Sequence, residues 1–287
     1  MVDNVKNQSV SFMAITTYSS YGRAVPGMIR IVLLSLTPVL LLASASAYAG
    51  DAPSASSAPV APPHAAAVFS AQPPVVDGVV DATTEWKAAT PIVFSDTEVR
   101  FLWTDDGMFV SARAVDKTPV FGSFRQGDPL YLEDVFEVFI DEVGDGRQFV
   151  EIQCDPAGQI YIRNNLLTAE PRLTEEGRLT QEFVERELWR YVLPAPDSFH
   201  VASRYDKASG AWSLELFLPK AFISRRKGGA MSPCTWRVNL VRHDWDKPSA
   251  PIAANPERHG EMMYWAPVLR GHPHLSPTRM GFLELKK

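Results

Sequence analysis

The chain has 287 residues, 46% hydrophobic and 21% charged, with a formal net charge of −5. That balance belongs to a globular protein with apolar surface for one core. It excludes an electrostatic nucleic-acid face, because the one basic cluster is Arg225-Arg226-Lys227, which reads as a solvated loop.

Residues 1–49 read as a secretory signal peptide. Arg23 and Arg30 precede the apolar run IVLLSLTPVLLLASASA, and Ala47-Tyr48-Ala49 supplies a small-x-small cleavage site. The run is short and broken by Pro38, so no membrane span is expected after cleavage; Met28 is an alternative start. The expected location is secreted or periplasmic. Two cysteines, Cys154 and Cys234, would reach that oxidising compartment, and their spacing leaves a disulfide open.

Residues 50–67 are rich in Pro, Ala and Ser without periodicity, which predicts a flexible linker ahead of one domain over 68–287. EVRFLW and MFVSARAV flank TDDG, a hairpin in which Gly107 would take a positive φ. YLEDVFEVFIDE (131–142) predicts a strand. RQFVEIQCD and QIYIRN flank PAG, and FHVASRYD and AWSLELFLP flank KASG, giving two more hairpins. Residues 175–193 break the pattern, with Leu179, Phe183 and Leu188 closer to helical spacing. TWRVNLVRHD and RMGFLELKK close the chain. The predicted fold is all-β: an antiparallel β-sandwich, jelly-roll or immunoglobulin-like, with one helical or loop insertion.

Alternation assigns the faces. Phe136, Val138 and Ile140 point one way, and Val135, Glu137 and Phe139 the other. If their strands are neighbours, Glu137, Glu151, Glu215, Arg237 and Asn239 share one surface with aromatic residues. Planar hydrogen-bonding groups among aromatics suit a hydroxyl-rich ligand with apolar C–H faces. The competing reading is that Glu215 and Arg237 form a structural ion pair. DEVGDG (Asp141, Glu142, Asp145) clusters oxygens at a strand end without a calcium-loop spacing, and His272 and His274 around Pro273 are weak as metal ligands.

Taken in order, VDGVVDATTEW, VRFLWTDDGMFVSARAVD, EDVFEVFID, AWSLELFLP, WRVNLVR, YWAP and MGFLEL resemble the family 9 carbohydrate-binding module, related to DOMON-like domains, from Asp77 to Leu285. The resemblance implies a β-sandwich that clamps a sugar between two aromatic rings, with structural calcium. By motif it implies saccharide-binding roles for Asp116, Glu137 and Asn239. Tyr131 and His274 fall where the clamp tryptophans stand, and Glu151 where an Arg is expected. Arg237 completes the predicted site on the facing argument.

The leading expectation is a non-catalytic secreted protein that binds a polysaccharide or oligosaccharide. Three alternatives stay open. A glycoside hydrolase, or a domain associated with one, could draw on Glu137, Glu151 and Glu215. A haem-binding sandwich could draw on His243, Met262, Met263 or Met280. An envelope scaffold needs neither.

Overall fold

The computed structural model describes residues 60–171, 180, 183, 186–223, 231–247, 259–269 and 271–287. The expected signal peptide and most of the expected linker lie outside the described residues. The described residues form thirteen strands: β1 (His64–Phe69), β2 (Ile92–Phe94), β3 (Thr97–Thr104), β4 (Gly107–Val115), β5 (Val135–Asp141), β6 (Gln148–Cys154), β7 (Ile160–Leu167), β8 (Leu188–Leu193), β9 (His200–Asp206), β10 (Ala211–Pro219), β11 (Thr235–Trp245), β12 (Gly260–Tyr264) and β13 (Gly281–Lys286). A single helical turn, α1 (Lys220–Ile223), follows β10. No helix among the described residues is long and apolar enough to cross a membrane.

The strands join in the order β8-β7-β6-β5-β11-β13-β1-β3-β4-β10-β9, with β12 on β11 and β2 on β3. The two ends of this path face each other across one core. Phe101, Trp103, Val110, Trp212 and Leu216 come from one half and Phe136, Val138, Ile152, Trp236 and Leu240 from the other. That closure is the expected all-β sandwich, since each half can bury its apolar face only against the other. Pairing is antiparallel except at the junction of the halves, where β1 runs parallel to both β13 and β3.

The three hairpins form where the alternation places them: β3–β4, β6–β7 and β9–β10. Gly107 is needed for a reason other than its φ, which is not positive. A Cβ there would come within 2.2 Å of the Leu218 carbonyl oxygen, so the close approach of β10 demands glycine. Two elements depart from expectation. Residues 64–67, assigned by composition to the linker, are strand β1. Residues 188–193, at the end of the helix-like stretch, are edge strand β8, paired to β7 from Ile162↔Leu193 to Leu167↔Leu188.

Candidate functional site

Strand β5 is buried at every position, although only one of its faces meets the core. Its other face, with those of β11, β6, β7 and β8, forms a lattice of side chains whose rows follow from the registers. One row reads Val241, Glu137, Gln153, Tyr161. The next reads Asn239, Phe139, Glu151, Arg163, Val192. The third reads Arg237, Asp141, Phe149, Asn165, Arg190. Tyr131, in a 3-10 turn (Leu130–Leu132), and His274, in a second one (Pro273–Leu275), reach this face from the loops before β5 and β13.

Glu151 is the hub. Its Oε1 accepts from Arg163 Nη2 at 2.8 Å and Gln153 Nε2 at 2.7 Å, and its Oε2 accepts from Arg163 Nε at 3.0 Å and Asn165 Nδ2 at 3.2 Å. His274 Nε2 lies 2.9 Å from Oε2 and 2.8 Å from Arg163 Nη2, with its ring edge-on to Phe139 at 5.4 Å. Burial pushes the Glu151 carboxyl up, but His274 and Arg163 outweigh it and bring its pKa down to about 2. The same contacts raise the Arg163 guanidinium above its ordinary value, the Glu151 charge overcoming desolvation.

Glu137 is 1% exposed, and its Oε1 lies 3.5 Å from His243 Nε2. Its Oε2 has no hydrogen-bond partner, nor has His243 Nδ1, nor has Oδ1 of fully buried Asn165. Each unmet polar atom of this kind costs about 1–3 kcal/mol, and three of them rise from one face. Tyr131 stands beside them, 37% exposed, its ring centroid 6.5 Å from that of His243. Its N–H donates to Gln153 Oε1, and its carbonyl accepts from Trp245 Nε1 at 3.1 Å. Two apolar patches border the polar strip: Phe139, Phe149, Val241 and Met280 on one side, and Leu130, Val135 and Tyr161 on the other.

Of the seven residues expected at the site, Tyr131, Glu137, Glu151 and His274 come together here. Asn239 lies on the same face, but its Oδ1 accepts from the Leu240 and Ala266 N–H groups and so holds the loop after β12. Arg237 sits at the margin, with Nη1 donating to the Thr278 carbonyl at 3.0 Å and its guanidinium 4.6 Å from the Phe282 ring centroid. Asp116 is elsewhere, at the end of β4, where Arg242 Nη2 pairs with it at 3.3 Å. The shared surface does not extend to Glu215, which faces outward from the other half. There it accepts from the Asp77 and Gly78 N–H groups and from Trp86 Nε1, and no Glu215–Arg237 pair forms. Gln153, Arg163, Asn165 and His243 are the additions. The alternation of Tyr161, Arg163 and Asn165 with Ile160 and Ile162 already carried the signal for two of them.

Among the described residues, neither carboxylate cluster fits the implied calcium. In DEVGDG, Asp141 accepts from the Gly144 and Gly146 N–H groups and Asp145 from those of Arg147 and Gln148, so these carboxylates anchor a turn. Asp116, Asp134 and Asp244 bring carboxylate oxygens within 4.8 Å of one another. The cation among them is the Arg242 guanidinium, 3.0 Å from Asp244 and 3.3 Å from Asp116, while both Asp134 oxygens accept N–H groups, from Val120 and Trp245, at 2.6 Å.

Of the candidate haem ligands, Met263 lies in the main core and Met280 in the apolar patch beside Phe139, while His243 and Met262 stand opposite one another on β11 and β12. Cys154 and Cys234 are not joined in a disulfide, and burial pushes the Cys154 thiol well above its ordinary pKa. A depression of about 590 Å³ outside β4 and β10 is lined by Pro73, Pro74, Phe109, His200 and Phe217 among others, and lacks the convergent polar groups of the lattice.

No family model matches the sequence, and no curated protein matches it. Among solved structures, the fold is similar to a family 9 carbohydrate-binding module from Caldicellulosiruptor kristjanssonii in complex with cellotriose. The two share 12% identity over 78% of this chain and 93% of that one, with a TM-score of 0.50. It is also similar to a candidate carbohydrate-binding protein from Bacteroides uniformis, with 13% identity, 78% and 100% coverage and a TM-score of 0.53. At such identities the likeness is one of fold.

Proposed function

We propose that this protein is a non-catalytic carbohydrate-binding domain of the secreted or periplasmic space, and that it takes a saccharide on the face of β5, β6, β7 and β11. The observation that carries the reading is the set of unmet polar atoms on that face: Glu137 Oε2, His243 Nδ1 and Asn165 Oδ1. A sugar brings hydroxyl groups that satisfy such atoms and C–H faces that pack on Tyr131 and the bordering apolar patches. The likeness of fold to a sandwich crystallised with cellotriose supports the same reading. So does the N-terminal leader pattern for the location.

Arg163 and Glu151 position one another, so the ligand meets a rigid, prepaid network. Glu151 is poorly suited to catalysis, because all its accepting directions are occupied and a pKa near 2 removes it as a general acid at neutral pH. Glu215, a further carboxylate candidate, lies on the other half of the sandwich, away from Glu137.

Isothermal titration against a panel of neutral and acidic mono- and oligosaccharides tests this. Tyr131→Ala and Glu137→Gln are expected to weaken binding by about tenfold or more, the loss of one stacking face or of one charge-assisted hydrogen bond. Unchanged affinity in both folded variants overturns the proposed face.

A further inference from the structure

Edge strand β8 carries Arg190 opposite Asn165 of β7, so its side chain rises from the same face as the polar lattice. It stands one row from Arg163 and within electrostatic reach of Glu151, Tyr131 and Tyr161. Among the described residues it makes no hydrogen bond and no ion pair. Among the described residues the carboxylate acting on it is that of Glu151, already saturated by Arg163, Gln153, Asn165 and His274. Although the residue is exposed, partial removal of its guanidinium from water, followed by the Arg163 charge, holds its pKa below the usual value. A forked cation left in this position, facing a site and repelled by the one next to it, lacks an anion that the protein does not provide.

Resting on the saccharide reading of this face, we propose that the ligand is an acidic oligosaccharide: a uronic acid residue whose carboxylate pairs with Arg190, with hydroxyls of neighbouring residues along the same chain meeting Asn165, Glu137 and His243 across the strands between. The two ends of the site then differ in sign. Glu137 and His243 take hydroxyls at the Tyr131 end, and Arg190 takes the carboxylate at the β8 end. A neutral sugar would fill the first and leave Arg190 unpaired, whereas the planar guanidinium fork matches a carboxylate bidentately.

The test is titration of the protein with oligogalacturonides and with glucuronic acid-bearing xylo-oligosaccharides, against neutral galacto- and xylo-oligosaccharides of equal length. Binding of an acidic series is expected to be about tenfold tighter than its neutral counterpart, and to weaken with added salt. Arg190→Gln should bring the acidic series down to the neutral affinity, with Arg190→Lys in between. Circular dichroism of these variants should be unchanged, because Arg190 is exposed. Equal affinity for both series, indifferent to Arg190→Gln, overturns the acidic specificity and leaves the saccharide reading standing. Binding of neither series overturns both.

Discussion

Glu151 organises the polar face by holding its neighbours, with no accepting direction left over. Its two oxygens accept from Arg163, Gln153 and Asn165 and approach His274, so removing its charge strands the Arg163 guanidinium, itself 8% exposed. Glu151→Gln is therefore expected to cost about 3–5 kcal/mol of stability at neutral pH, measured by urea denaturation. The sign with pH follows from the lowered pKa. The stabilisation is fully present above the unfolded value near 4.5 and fades as pH falls toward about 2, so the difference between wild type and variant should shrink over that range.

At this scale the sequence was half legible. Period-two alternation put Glu137 and Glu151 on one face. It could not reveal that Glu215 belongs to the opposite half, because strand order is a long-range property that no local pattern encodes.

At the scale of elements, the loop before β5 and the end of β11 are held by Asp134, whose oxygens accept the Val120 and Trp245 N–H groups. This loop carries Tyr131, and Trp245 also donates to the Tyr131 carbonyl. Burial, opposed by those two hydrogen bonds and reinforced by nearby Asp116, pushes the Asp134 pKa to about 8. The folded protein thus keeps a proton that the unfolded chain releases near 3.8, so this group makes stability fall as pH rises from about 4 to 8. Denaturation midpoints across that window should decline. Asp116→Asn, which removes one repulsive charge, should flatten the decline; a slope unchanged by that substitution would mean that Asp116 contributes nothing to it.

Hairpins were the most legible elements, since each pairs neighbours in sequence across a turn of Asp, Gly or Pro. Strand β8 was hidden because Leu188 continues a helix-like spacing, and β1 because HAAAVF has little β propensity and pairs only with strands remote in sequence.

At the scale of the whole molecule, the sandwich is one continuous sheet bent over a single core, and β1 and β13 are its fold line. Trp103 of β3 locks that line from inside: its Nε1 donates to the Lys286 carbonyl at 2.9 Å, and its ring meets Phe69 edge-on at 4.9 Å. Because β1 and β13 are parallel, with five residue pairs from His64↔Phe282 to Val68↔Lys286, they answer to mechanical force in a particular way. Tension applied at residue 60 and residue 287 pulls the two strands along each other, loading the ladder in shear so that its bonds must yield together. Tension across His200 and Pro219, at the open end of the β9–β10 hairpin, would instead peel edge strand β9 away one pair at a time. Single-molecule pulling should record a distinctly higher rupture force in the first geometry. The face proposed to take a saccharide lies beyond β13 from β1, so a load between residue 60 and a ligand held there would cross this ladder.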